Sequence, residues 1–352
     1  MADARHSPVA ILDNTEITDI RERQNAVLGG ASQLWHVISV LAELGIADLL
    51  ATEPRTAGEL AQITETNAGA LRRVLRAAAS MGIFTETPDG SFTMSALAEG
   101  LRSDRVGGLR PMIRFHSMDW VRRSYQEIMH SVRTGEPAFD RAFGMSFHQY
   151  LSENPEFALF YEGFLAHFSR RLADRFVGQL DLRRFARICD IGAGTGYFLA
   201  RMLREQPNAT GLLIDRPVVT GAAEALFAEH GVADRATVRG ADILNSTTPG
   251  GYDLYTLKTV LHRLNDGESI ALLRQIRDAL RDTGGRIIVI DQILPEGNAW
   301  DHSKVIDIDA LVLYGGKERY LDEWHELADA SGLRLCADPV LRGWTFLEFQ
   351  AA

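Results

Sequence analysis

Cysteine is scarce: the 352-residue chain holds two, Cys189 and Cys336. Neither stands in a C-x-x-C pair, which argues against structural zinc, and nothing demands a disulfide. Cys189 falls inside an apolar stretch, where it reads as a small hydrophobe. Long apolar runs are also lacking. None reaches the ~18–20 residues of a membrane helix, and the first thirty residues are polar and mixed in charge, unlike a secretory signal. These absences predict a cytoplasmic protein with no membrane partner. Positive charge is in deficit, with 37 Lys and Arg against 47 Asp and Glu and a net charge of −10. That balance speaks against a nucleic-acid partner, whose binding would rest on a basic face. Internal repeats and low-complexity tracts are missing as well. What remains is a chain 46% hydrophobic, with room for two domains at ~100–200 residues each.

Residues 34–50 place Leu34, Val37, Val40, Leu41, Leu44 and Leu49 at helical spacing. Thr56-Ala57-Gly58-Glu59 reads as a capping box opening a short helix. Asn67 caps a second helix over about 68–81, ended by Gly82 and striped with Leu71, Val74, Leu75 and Ala78. Residues 83–86 and 91–94 flank Pro88-Asp89-Gly90, a hairpin signal. Helices followed by a hairpin make a winged helix. Arg72, Arg73 and Arg76 could then touch phosphates, but the acidic total favours a solvated helix face, and dimerisation is the sharper alternative to DNA binding. Residues 106–180 read as helical, punctuated by Pro111, Pro137 and Pro155. From Arg187 the rhythm becomes strand then helix, with strands expected at 187–191, 211–215, 236–239, 253–258 and 286–291. Helices such as 197–205 and 267–281 lie between them, and 344–349 alternates like a last strand. Such alternation implies an α/β domain with a parallel sheet. The expected divisions are 1–105, 106–180 and 181–352.

The run Asp190-Ile191-Gly192-Ala193-Gly194-Thr195-Gly196 follows the first of these strands and opens a helix. Glycines there let a ligand approach the backbone at the carboxyl end of the strand. Nineteen residues beyond Gly196, Asp215 ends the next strand, where an acid can accept both hydroxyls of a ribose. Asp242 follows the third strand and suits an adenine amino group. NAD and S-adenosylmethionine (SAM) share that half. The G-x-G-x-G spacing with Tyr197 next, rather than G-x-G-x-x-G, favours SAM.

With those residues in place the sequence resembles the O-methyltransferases typified by plant caffeate enzymes and bacterial enzymes that tailor aromatic antibiotics. The resemblance spans nearly the whole chain. Besides the glycine run, it is carried by Arg55-Thr56-Ala57-Gly58-Glu59-Leu60, Ser131-Val132-Arg133-Thr134-Gly135, Leu257-Lys258-Thr259-Val260-Leu261-His262 and Gly315-Gly316-Lys317-Glu318-Arg319. It implies a Rossmann-like class I methyltransferase domain, with a mostly parallel sheet and an antiparallel last strand, preceded by an α-helical winged-helix domain that forms a homodimer. By motif match it places Ser169, Gly192, Gly194, Asp215, Arg216, Asp242, Ile243 and Lys258 at SAM, whose product is S-adenosylhomocysteine. No metal is implied. His262 takes the position of the general base, flanked by Asp291 and Glu318. Met145, Phe147, His148, Phe164, Leu165, Arg263 and Asp307 fall around a small aromatic acceptor of secondary metabolism.

The residue types suit that chemistry. A phenol, with a pKa near ~10, is mostly protonated at neutral pH; a neutral imidazole is the usual base for its proton. A carboxylate on the other ring nitrogen sets the tautomer. Some positions depart from the family pattern. His262-Arg263-Leu264 stands for the usual His-Asp-Trp, Leu165 for a Met over the acceptor ring, Ser146-Phe147-His148 for Ser-Phe-Trp, and Asp291 for a Glu. Two other functions compete. One is a SAM-binding relative with changed chemistry, such as a hydroxylase, decarboxylase or cyclase, in which the base is often lost. The other is a winged-helix regulator, which needs DNA affinity.

Overall fold

The computed structural model describes residues 24–352 apart from Val106, Asp282, Asp338 and residues 340–342. The polar residues 1–23 lie outside that part. Two compact units form, Met1–Arg122 and Arg123–Ala352.

In the first unit the apolar stretch over 34–50 is not one helix. It breaks into Ala31–Glu43 and Ile46–Leu50 at Gly45, whose φ of 66° is left-handed. Only a residue without Cβ takes that conformation cheaply, so the spacing continues while the axis turns. The next two helices begin where their caps stand. Thr56 and Glu59 exchange both bonds of a capping box before Ala57–Ile63, and Asn67 Oδ1 accepts the Ala70 N–H at 2.9 Å before Ala68–Ser80. A hairpin follows, β2 (Phe84–Glu86) with β3 (Ser91–Met94). The pair β1 (Arg55–Thr56) joins it to give the order β1-β3-β2. Leu41, Ile46, Leu60, Leu75, Phe84 and Phe92 fill the core. Arg72, Arg73 and Arg76 lie on the exposed face of their helix, and Arg72 pairs with Glu86.

The second unit opens with helices. Pro137 caps Ala138–Phe143, and Pro155 starts the 23-residue helix Pro155–Val177, where a missing N–H costs nothing. A seven-stranded sheet follows in the order β6-β5-β4-β7-β8-β10-β9. Its strands are β4 (Arg187–Ile191), β5 (Thr210–Asp215), β6 (Ala236–Gly240), β7 (Leu254–Lys258), β8 (Arg286–Ile293), β9 (Leu333–Leu335) and β10 (Gly343–Ala351). The first five pair in parallel; β10 runs antiparallel to β8 and to β9. Helices cover both faces, so the inner strands are apolar on both sides. Cys189, Tyr255, Leu257 and Val289 pack on one face with Leu272 and Trp324, while Ile188, Leu213, Leu254 and Ile288 pack on the other with Phe198 and Phe227. No helix among the described residues is long and apolar enough to cross a membrane.

One turn beyond β7 is held with unusual closeness. Leu261–Arg263 forms a single 3-10 turn. Arg319, fully buried, donates to the carbonyls of Leu261 and Leu264 at 3.0 Å each, to Asp266 Oδ1 and to Ser269 Oγ. The neighbouring chain presses on the same turn: a Cβ built on Gly316 would stand 2.3 Å from the His262 carbonyl oxygen and 2.5 Å from the Arg263 carbonyl carbon. Both are backbone atoms, so the clash cannot be relieved by a rotamer. Gly316→Ala is therefore expected to destabilise the protein by roughly 1–3 kcal/mol, read as a lowered midpoint in thermal or urea unfolding. An unchanged midpoint would show that the turn yields freely.

Candidate active site

The strand order reverses at β4, with β5 on one side and β7 on the other. The crevice at the carboxyl ends of these strands is where an open α/β sheet receives a ligand. Gly192, Gly194 and Gly196 turn the chain out of β4 with φ of 67°, 60° and 86°. A Cβ on Gly192 would meet Val260 at 2.6 Å and one on Gly196 would meet Leu213 at 2.7 Å, whereas Gly194 faces open space. The outer two glycines thus serve packing, and the middle one leaves room beside the backbone.

Asp215, at the end of β5, closes over this loop. Its Oδ2 accepts the Gly194 N–H at 2.8 Å and its Oδ1 accepts the Arg216 N–H at 2.7 Å. Each oxygen keeps lone-pair capacity for a ligand hydroxyl. Arg216 reaches back to the His148 carbonyl at 3.4 Å. Asp242, after β6, accepts N–H groups of Leu244 and Asn245 and the Asn245 amide. Burial alone would raise its pKa, but these donors outweigh that and hold it below the usual carboxylate range. Ile243 packs at the edge of the sheet's core and lines a cleft with Ile191, Ile214 and Ala241.

Beneath the glycine loop lie two buried charges. Asp190 accepts a hydrogen bond from Thr256 Oγ1 at 2.6 Å, and burial pushes its pKa up to about 7. Lys258, at the end of β7, donates to Ser169 Oγ at 2.6 Å, and burial lowers it to about 8 against the pull of Asp190. Thr259 then takes a φ of 59°, a strained conformation for a β-branched residue. It turns the chain from strand into the 3-10 turn that carries His262.

His262 is buried, and its Nδ1 lies 2.9 Å from Glu318 Oε1. With the carboxylate as acceptor, Nδ1 carries the proton and Nε2 the lone pair. Asp291 does not make that bond. It ends up wholly buried on β8 with both carboxylate oxygens lacking a hydrogen-bond partner among the described residues. Burial pushes its pKa to about 7, the nearby His262 opposing and Glu318 adding. Glu318 is steadied from behind: Asp307 Oδ1 accepts its backbone N–H at 2.8 Å. Asp307 thus braces the loop of the acid.

The expected acceptor-side residues divide. Phe164 and Leu165 lie half-buried on the helix Pro155–Val177, and Met145 lies half-buried in the turn before Phe147–Glu153. Phe147 is nearly fully buried, packed edge-on against Phe139, Tyr161 and Tyr314. His148 follows it, with Nδ1 buried and unpaired; burial, then Arg216 and Arg263, press its pKa down to about 3. Arg263 places Nε 3.4 Å from His262 Nε2, and its guanidinium lies 5.7 Å from the Tyr161 ring centre and 5.5 Å from that of Tyr314. The two tyrosine hydroxyls share a hydrogen bond of 2.8 Å. Sequence reasoning had not singled out Tyr161, Tyr314, Thr259 or the role of Arg319. The last lies inside the quoted Gly315–Arg319 run, while the tyrosines carried no signal, being one aromatic among many on helices.

Comparison with known proteins agrees with this architecture. The family model of the O-methyltransferase domain matches residues 125–334, and that of the O-methyltransferase dimerisation domain matches 31–104. The phenazine O-methyltransferase of Lysobacter antibioticus is 40% identical over 296 residues, 84% of this chain and 86% of that protein. The solved mitomycin 7-O-methyltransferase superposes with a TM-score of 0.85 at 32% identity, covering 94% of this chain and 98% of its own. An O-methyltransferase of neocarzinostatin biosynthesis, solved with SAM and 2-hydroxy-5-methyl naphthoic acid, gives a TM-score of 0.79 at 29% identity, over 90% and 96% of the two chains. The glycine loop with room over Gly194, Asp215 beside it and the Lys258–Ser169 pair beneath fit SAM, and no group of residues suited to a metal occurs among the described residues. The chain belongs to the SAM-dependent O-methyltransferases, with a class I methyltransferase domain behind a family dimerisation domain.

Proposed function

We propose that this enzyme methylates a phenolic hydroxyl of a small aromatic secondary metabolite, with His262 as the general base. The observation that carries the reading is the His262–Glu318 pair at 2.9 Å, which leaves Nε2 as the basic nitrogen at the carboxyl edge of the sheet. When bound, SAM supplies an electrophilic methyl group on a positively charged sulfur. Asp215 would accept its ribose hydroxyls, with Gly192, Gly194, Arg216, Asp242, Ile243, Ser169 and Lys258 around the remainder. His262 would take the hydroxyl proton on Nε2, and Glu318 would stabilise the imidazolium that forms. Met145, Phe147, His148, Phe164 and Leu165 supply a mostly apolar wall, which suits a flat ring. The relatives named above are a phenazine and a mitomycin O-methyltransferase and an enzyme of neocarzinostatin biosynthesis solved with a naphthoic acid, and an aromatic acceptor of antibiotic biosynthesis is the reading they support for this chain.

We infer further that two copies associate through the residues matched by the dimerisation domain. Sedimentation at micromolar concentration should give twice the monomer mass, and a monomer there would overturn the inference.

For the cofactor, Asp215→Ala should weaken SAM binding by ~1.5–3 kcal/mol, the worth of a charged hydrogen bond. Calorimetry giving wild-type affinity would remove Asp215 from the site. For the chemistry, His262→Ala should leave SAM affinity nearly intact and lower kcat by roughly 10²–10⁴. Glu318→Gln keeps an acceptor but loses the charge, and should cost about tenfold in kcat. Asp291→Asn should cost less, because the acid makes no bond to the ring and burial favours its neutral form. Steady-state kinetics with a phenol acceptor would read all three; a near-normal kcat for His262→Ala at neutral pH would sink the base assignment.

A further inference from the structure

The two halves of the proposed site are carried by different parts of the second unit. Cofactor residues stand mostly at the strand ends, whereas Met145, Phe147, His148, Phe164 and Leu165 stand on or beside the helices Phe147–Glu153 and Pro155–Val177. Side chains that flank the cofactor cradle tie these helices down. Tyr197, next to the glycine run, donates from its hydroxyl to Asp174 Oδ1 at 3.0 Å, and Lys258 donates to Ser169 Oγ at 2.6 Å. Both ties fall on the later part of the long helix, where Ala173, Phe176 and Val177 are already packed into the core. The shorter helix is reached by Arg216, whose Nη1 donates to the His148 carbonyl oxygen at 3.4 Å.

The backbone of Arg216 is fixed on the cofactor side. Its N–H donates to Asp215 Oδ1 at 2.7 Å, and the Asp215 carbonyl accepts the Ala241 N–H at 2.8 Å. Pro217 stands so close to Gly240 that a Cβ built there would lie 3.0 Å from the proline Cγ. The segment is thus wedged between the acid proposed for the ribose and the strand end before Asp242, and the guanidinium acts electrostatically on Asp242. A cofactor with its ribose on Asp215 and its adenine at Asp242 would lie along Arg216.

The bond from Arg216 to the helix is long, and the same carbonyl also accepts Ser152 Oγ at 3.1 Å. Open to water, such a bond contributes little, because water offers both partners an alternative. Covered by a bound nucleoside, the same bond is made in a medium of lower dielectric and strengthens. The cofactor therefore acts on the helix without moving Arg216, by excluding water from the bond. We propose that Arg216 is a positioning residue through which the bound cofactor fixes the helix Phe147–Glu153, and with it the wall that receives the acceptor. The proposal rests on the cofactor and acceptor assignments above and goes beyond them by naming the link that joins the two.

Amide hydrogen exchange read by mass spectrometry tests this on the full-length enzyme, with and without saturating S-adenosylhomocysteine and with no turnover involved. In wild type the ligand should slow exchange in residues 192–196 and in residues 147–153, the latter by at least about fivefold, the low end of the usual coupling between sites. Arg216→Met removes the donor. Protection at 147–153 should then vanish while 192–196 stays protected, and unchanged exchange in β4 and β7 identifies a folded variant. Protection at 192–196 without protection at 147–153 in wild type overturns the proposal with no variant needed and leaves the cofactor reading standing. Protection at 147–153 that survives Arg216→Met also overturns it, since the ligand then acts on the helix directly. Absence of protection at both segments in wild type overturns the cofactor reading as well.

Discussion

The active-site turn depends on one buried guanidinium. Arg319 has no exposure to solvent, and its N–H groups bracket the turn that bears His262 and Arg263. A buried cation is tolerated only when it is fully paired and bonded. Arg319 meets that demand with two carbonyls, Asp266 and Ser269, so the residues on either side of His262 have few alternatives. Asp266 opens the helix Asp266–Ala279, whose apolar face packs into the sheet's core. The position of His262 is thereby tied to the core of the domain by a charge pair instead of to a loop alone.

The same economy of space governs the pair His262–Glu318. Glu318 and Arg319 are adjacent, so the clamp that holds the turn also sets the acid opposite Nδ1, and Asp307 accepts the Glu318 backbone N–H. Gly316 completes the arrangement, since its lack of a side chain lets the two backbone segments touch. Asp291, on β8, makes no such bond: neither of its carboxylate oxygens has a donor among the described residues, and burial favours its neutral form.

Charges at the carboxyl edge of the sheet are sorted by side. Asp190 and Lys258 balance each other under the glycine loop, where each is perturbed by burial in the direction that discharges it. Arg216 and Arg263 stand toward His148. Beside His262 itself the charges are mixed, with Glu318 bonded to its ring and Asp291 buried close by.

Local signals were strong in this chain wherever local physics decides. The caps at Thr56 and Asn67, the proline helix starts, the strand–glycine–helix run and Asp215 nineteen residues on all act within a few residues, or through one strand crossover. The five parallel strands were legible from the alternation of strand and helix along the chain. The break at Gly45 was hidden because helical spacing persists through it, and β9 was missed because three residues are too few to show alternation. By itself the sequence determined the fold class, the glycine loop and the family, since these rest on spacing along the chain. Tertiary structure alone decided which acid bonds to His262, that the Arg263 guanidinium lies over the Tyr161 and Tyr314 rings, and that Arg319 holds the turn. Those choices compare distances between segments 50 or more residues apart, and only packing in three dimensions sets them.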